Sequence, residues 1–289
     1  MTQVTFLNSM ASADLATAAR RHRALDISIL DLKDGIFGRA VEDLSADDAA
    51  LAARVIREEG CSVYCLSSCI GYTDLAEGEA LYTERHLGAM RRLTITAHAL
   101  QPRAIRLLAP RVPPGLSFAA CMEYFPWTIA VYRQLIDLAD VAGFDVLLEN
   151  EAHDCLLASA DDCLAFVTGI NRPRRLKLIY DVQNLWQMGE FPSVGAVRKL
   201  GPILGGLHLK GGQSETGTAL ALASPLATAS WPVRDVTRAA LDLGTVPVIC
   251  VNPSHGRWPP GYDTWDVALQ DLRFLRTHFT EIHGHALPA

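Results

Sequence analysis

Short, nearly unbroken apolar runs recur along the 289-residue chain at Val4–Asn8, Leu25–Leu32, Cys61–Ser67, Ala104–Ala109, Asp145–Glu149, Leu176–Asp181, Leu204–Lys210 and Pro247–Val251. Runs of this length without polar alternation suit parallel strands covered on both faces rather than half-exposed antiparallel ones. Between them the period changes. Trp265, Ala268, Leu269, Leu272 and Leu275 fall on one helical stripe, with Asp271, Arg273 and Arg276 assigned to its polar face. Ile129, Tyr132, Leu135, Ile136 and Ala139 repeat the stripe, and Ser45 before Asp47-Asp48 reads as the N-cap of a helix containing Leu51, Val55 and Ile56. Alternation of strand and helix through eight cycles predicts an α/β fold, a single (β/α)8 TIM barrel, with a doubly wound open sheet as the alternative.

Composition narrows this picture. A hydrophobic content of 49% over 289 residues supports one large core, so a single domain over residues 1–289 is expected. The net charge of -6 argues against a binder of phosphate backbones, and nucleic acid is not expected as a partner. No apolar run approaches the roughly 20 residues of a membrane span, and Met1–Leu7 lacks a charged segment before a long apolar stretch. A soluble cytoplasmic protein without a membrane partner is expected. Seven cysteines, an odd number, fit reduced thiols better than a disulfide framework. The widest irregular stretches, Lys33–Leu44, Ser68–Glu77, Pro110–Tyr124, Gly211–Trp231 and Asn252–Asp263, all follow strands. In a barrel that places them on the C-terminal face, where substrates bind.

Three of the apolar runs end in a polar residue: Glu149 after Val146-Leu147-Leu148, Asp181 after Leu178-Ile179-Tyr180, and His208 within Leu207-His208-Leu209-Lys210. Buried carboxylates and imidazoles are costly unless paired or bound. Taken singly, each has an ordinary explanation: Asp181 as a helix N-cap, His208 as a satisfied core histidine, Glu149 as a structural carboxylate. On adjacent strands they form a set of oxygen and nitrogen donors suited to Mn, Zn, Co or Mg. Lys210 shares the inward parity of His208, because strand side chains alternate.

These residues resemble the xylose isomerase-like barrels, a family that includes sugar-phosphate isomerases, tagatose-type epimerases, inosose dehydratases and, more distantly, endonuclease IV. The resemblance spans most of the chain, and its specific part runs from Leu147 to Lys210. Members carry a Glu after strand five, an Asp-x-x-His after strand six, a His-x-Lys near the end of strand seven and a Glu ending strand eight. Glu149, Asp181, His208 and Lys210 look like the first three of these. Asn184 stands where the histidine of the second motif is expected, and Pro247–Asn252 supplies no glutamate on strand eight. Asn252 offers only a neutral carbonyl oxygen there.

The resemblance implies a sugar isomerase or epimerase-like enzyme acting on a small polyhydroxy carbonyl compound through a metal-stabilised enediolate. Glu149 would be base and ligand, and Asp181 and His208 ligands. The missing glutamate implies weak metal binding or none, and disfavours a two-base epimerase more than a one-base isomerase, lyase or dehydratase. A degenerate barrel that binds a sugar or sugar acid without turnover is the alternative. His153, Lys210 and His255 are candidates for the acid, His255 also as a spatial replacement for the lost glutamate. His153, Asn184, Asn252, Arg257 and Trp258 are candidates for substrate contact. Gly211-Gly212 reads as a flexible loop more readily than as a phosphate cradle. Barrels of this family often pair, so a homodimer is possible, with Glu281–Ala289 either at its interface or frayed. No Gly-x-Ser-x-Gly elbow and no Gly-x-Gly-x-x-Gly after the first strand support nucleophilic or dinucleotide chemistry.

Overall fold

The computed structural model describes residues 2–282; of the tail Glu281–Ala289, all but Glu281 and Ile282 lies outside the described residues. The strands are β1 (Gln3–Phe6), β2 (Ile29–Leu32), β3 (Ser62–Ser67), β4 (Ala104–Leu108), β5 (Asp145–Glu149), β6 (Leu176–Asp181), β7 (Leu204–Leu209), β8 (Gln213–Ser214), β9 (Leu220–Leu222) and β10 (Val248–Val251). The helices are α1 (Asn8–Ala11), α2 (Leu15–Ala24), α3 (Ala46–Glu58), α4 (Glu79–Leu100), α5 (Phe118–Tyr124), α6 (Thr128–Val141), α7 (Ala160–Ile170), α8 (Val182–Gln187), α9 (Val194–Leu200), α10 (Val233–Asp242) and α11 (Thr264–His278). Eight strands form one parallel sheet in the order β1-β10-β7-β6-β5-β4-β3-β2. A parallel bridge from Leu7 to Asp31 and a bond from Thr5 Oγ1 to the Ile29 carbonyl at 2.7 Å bring its two edges together. The result is a near-closed (β/α)8 TIM barrel, in which β10 is the eighth barrel strand and β8–β9 a small hairpin in the loop after β7.

The expected helices form where the periodicity puts them, and their starts follow local capping. Ser45 accepts from the Asp48 amide while Asp48 reaches back to the Ser45 amide, a capping box that opens α3. Two readings change. β2 begins at Ile29 rather than Leu25, because Leu25 closes α2 and Asp26 turns through a φ of 59°. Asp271, assigned above to the polar face of the last helix, is 1% exposed and accepts from the Leu226 amide at 2.7 Å, tying α11 to the loop after β9.

The outer faces of the strands and the inner faces of the helices share one large apolar core. Inside the barrel, a second and smaller apolar cluster joins Tyr64, Cys65, Ala104, Leu147, Ile179 and Val248. Side chains alternate along each strand, so the inward position two residues beyond Ala104, Leu147, Ile179 and Val248 falls on Arg106, Glu149, Asp181 and Cys250. An apolar layer therefore floors a polar one. Among the described residues no helix is long and apolar enough to cross a membrane.

Candidate active site

The polar layer is fully buried and densely connected. Asp31, Arg106, Glu149, Asp181, His208 and Lys210 are each at most 4% exposed. Glu149, at the end of β5, meets His208 Nδ1 through Oε1 at 2.7 Å and Arg106 Nη1 through Oε2 at 2.7 Å. A carboxylate only accepts, so Nδ1 of His208 carries the proton in that bond. Arg106 rises from the middle of β4 and spends its other terminal nitrogen on the carbonyls of Ser67 and Ser68 at 3.0 and 3.2 Å. Asp31 accepts from Ser67 Oγ and faces His208 Nε2 at 3.8 Å. Burial raises the Glu149 carboxyl, but His208 and Arg106 outweigh it and hold the group well below the usual carboxylate range. On His208 burial works downward, and Glu149 at contact distance turns the net shift upward.

Asp181 serves two elements at once. Its Oδ1 caps α8 by accepting from the amides of Gln183 and Asn184, the ordinary role anticipated for it. Its Oδ2 pairs with Lys210 Nζ at 2.8 Å. Lys210, one residue beyond β7, also donates to Asn184 Oδ1 at 2.8 Å and stands 3.3 Å from His255 Nε2. His255 comes from the loop after β10, where its amide donates to Gln183 Oε1 at 2.5 Å and its Nδ1 faces Gln187 Nε2 at 2.7 Å. Lys210, with burial and the charges of His153 and Lys33, pushes the His255 imidazole down to about 3. The ring is uncharged at neutral pH, next to a fixed ammonium.

The structure thus brings Glu149, Asp181, His208, Lys210, Asn184 and His255 into one cluster, with Asn252 Nδ2 2.9 Å from His208 Nδ1. It places other candidates farther out. His153 is exposed in the loop after β5 at a φ of 59°. Arg257 is exposed and faces Glu215 at 3.7 Å, and Trp258 is 54% exposed, stacked against Tyr262 with ring centroids 5.1 Å apart. The Gly211-Gly212 pair is neither a cradle nor slack. A Cβ on Gly211 would lie 1.8 Å from the Ser224 carbonyl oxygen, and the Gly212 amide is spent on Ser224 Oγ at 2.9 Å. Asp31 and Arg106 were not singled out from the sequence, although each interrupts an apolar run, in Leu30-Asp31-Leu32 and Ile105-Arg106-Leu107.

Among the described residues, two buried groups have residue types that could hold a metal ion: Glu149, Asp181 and His208, and Asp31, His208 and Cys250, each with donor atoms within 4.8 Å of one another. The first does not fit an ion as it stands. Three of its four carboxylate oxygens accept hydrogen bonds; the fourth, Asp181 Oδ2, accepts none but lies 2.8 Å from the fixed charge of Lys210, as Glu149 Oε2 lies against that of Arg106. The second retains one unpartnered oxygen, Asp31 Oδ2, but its thiol is held far above the ordinary cysteine value by burial and by Asp31. A thiol must lose its proton to become a strong ligand.

Solved structures share this architecture. A xylose isomerase-like TIM barrel protein from Mycobacterium smegmatis in complex with magnesium superposes with a TM-score of 0.69 at 20% identity, covering 92% of this chain and 88% of that one. A D-psicose 3-epimerase in the presence of D-fructose gives 0.71 at 15% identity, covering 96% and 99%. The probable 3-DHS dehydratase AsbF of Bacillus anthracis gives 0.71 at 14% identity, also covering 96% and 99%. At such identities the likeness is one of fold. No curated protein matches the chain by sequence. The model of one protein family, the xylose isomerase-like TIM barrel, matches residues 31–278, and the chain therefore belongs to that family.

Proposed function

We propose that the chain is an enzyme that moves a proton next to the carbonyl of a small polyhydroxy compound, an isomerase or epimerase-like activity. The observation that carries this reading is the Lys210–His255 contact: a buried ammonium 3.3 Å from an imidazole kept neutral at pH 7. Removing a proton α to a carbonyl puts negative charge on the carbonyl oxygen, and a pre-placed cation in a buried site is worth most at that moment. Lys210 supplies it. His255, uncharged beside the ammonium, can take the proton and return it to a neighbouring carbon or oxygen once the developing oxyanion offsets the Lys210 charge that holds its imidazole down. Glu149, clamped between His208 and Arg106, is a poor proton acceptor and holds the cations in place instead. A solved epimerase and a solved dehydratase on the same fold support this class of chemistry without choosing between its members.

Proton NMR of a panel of ketoses, aldoses and keto sugar acids incubated with the full chain in D2O tests the reading. Deuterium should enter at the carbon beside the carbonyl of at least one compound, and His255→Ala and Lys210→Met should each slow it by about 100-fold or more. A panel with no exchange counts against the enzyme. Asn252, which replaces the expected strand-eight carboxylate, favours a second reading, a barrel that binds a sugar acid without turnover. Saturable binding of a panel member with no exchange identifies that case.

A further inference from the structure

We propose that Arg106 fills the place of a divalent cation beside Glu149, so that this barrel works without a bound metal. The inference rests on the reading of the polar cluster as the reacting site. Its ground is the arrangement of the fixed charges. Arg106 is 3% exposed, and its guanidinium is held at three points: Glu149 Oε2 at 2.7 Å and the Ser67 and Ser68 carbonyls at 3.0 and 3.2 Å. Those carbonyls accept from it at the end of β3, so the side chain cannot swing away without leaving two backbone acceptors unpaired in the interior. Lys210 sets a second fixed charge 2.8 Å from Asp181 Oδ2, a pairing by charge alone, since that oxygen accepts no hydrogen bond.

An ion lodged among Glu149, Asp181 and His208 would share both carboxylates with these two cations. Like charges at contact distance inside a protein repel far more strongly than in water. The guanidinium also supplies what an ion would: a permanent positive charge that keeps Glu149 ionised, with directional donors that fix the carboxylate plane. Asn184 completes the case. Where a histidine would add a third strong donor, its amide oxygen accepts from Lys210 at 2.8 Å and so supports the ammonium.

Metal content of the full chain, purified without chelator, and calorimetric titration with MnCl2 and with ZnCl2 test the proposal. The wild type should carry well under one ion per chain and show no saturable uptake, and deuterium exchange on any active panel compound should survive EDTA. Arg106→Met, which keeps the side-chain length and removes the charge, should bind Mn or Zn at least about tenfold more tightly than the wild type. Arg106→Gln serves if the Met variant fails to fold, and the wild-type titration stands by itself. One tightly bound ion per wild-type chain, lost in Glu149→Gln, overturns the proposal, as does EDTA-sensitive exchange; either leaves the enzyme reading intact. A folded Arg106 variant with no gain in affinity removes the role assigned to Arg106. A metal-free chain with no exchange on any compound sinks the enzyme reading alone.

Discussion

His255 sets the most direct test at the scale of single residues. Its imidazole is pushed down to about 3, first by Lys210 and then by burial. If the ammonium is the main cause, Lys210→Met must move the His255 titration upward toward the ordinary histidine value while leaving the ring buried. Histidine NMR signals followed from pH 3 to 8 read this directly, and an unmoved His255 would assign the shift to burial instead. The residues of this cluster were unevenly legible. Glu149, Asp181, His208 and Lys210 stand out because a polar side chain ending an apolar run demands a partner. Asp31 and Arg106 send the same signal from the middle of their runs. What no run reveals is which partner each chooses, since Glu149 meets Arg106 and His208 only after β4, β5 and β7 have wrapped around one axis.

Among the elements, α11 carries a buried carboxyl that the helical stripe assigned to solvent. Asp271 accepts from the Leu226 amide through one oxygen, its other oxygen has no partner, and burial raises the group to about 7. A carboxyl with a raised folded value adds stability below its unfolded value of 3.8 and loses that contribution as pH climbs through 7. Asp271→Asn keeps an acceptor for Leu226 and removes the titration. Its melting temperature relative to the wild type should climb steadily from about pH 4 to about pH 7 and level off above, a gain of at least about 2–4 °C, as read in parallel thermal melts. The same comparison shows why element boundaries and faces resist a reading by period. A stripe identifies the apolar side of α11, but a loop returning over the helix from β9 covers part of the other side. Leu25 looked like strand for a related reason: it is apolar, yet it packs as the residue that caps the end of α2.

For the molecule as a whole, the buried histidines make acid costly. His22, His86 and His255 all have folded values below the ordinary 6.5, by burial for the first two and chiefly by Lys210 for the third. Between those lowered values and 6.5 the unfolded chain binds protons that the native chain does not, so stability falls as pH drops through that window. Asp31, Glu151, Asp181 and Asp271, all raised by burial, and His208, raised by Glu149, act in the opposite direction. His86→Gln should therefore make the urea midpoint fall less, or rise more, between pH 7 and pH 4.5 than it does in the wild type, and an unchanged pH dependence would contradict the assignment of that histidine. At this scale the alternation of strand and helix favoured the barrel over a doubly wound open sheet, because eight such units are the number that closes one, and the contact between the β1 and β2 edges decides it. The layered interior has a consequence for how that closure happens. Arg106 emerges on β4 and its counter-ion 43 residues later on β5, while Lys210 waits beyond β7 for Asp181 on β6. A half-assembled sheet must keep these ions wetted, and water can leave the lumen only when the last staves arrive. Dehydration of the interior and completion of the circle are therefore one event.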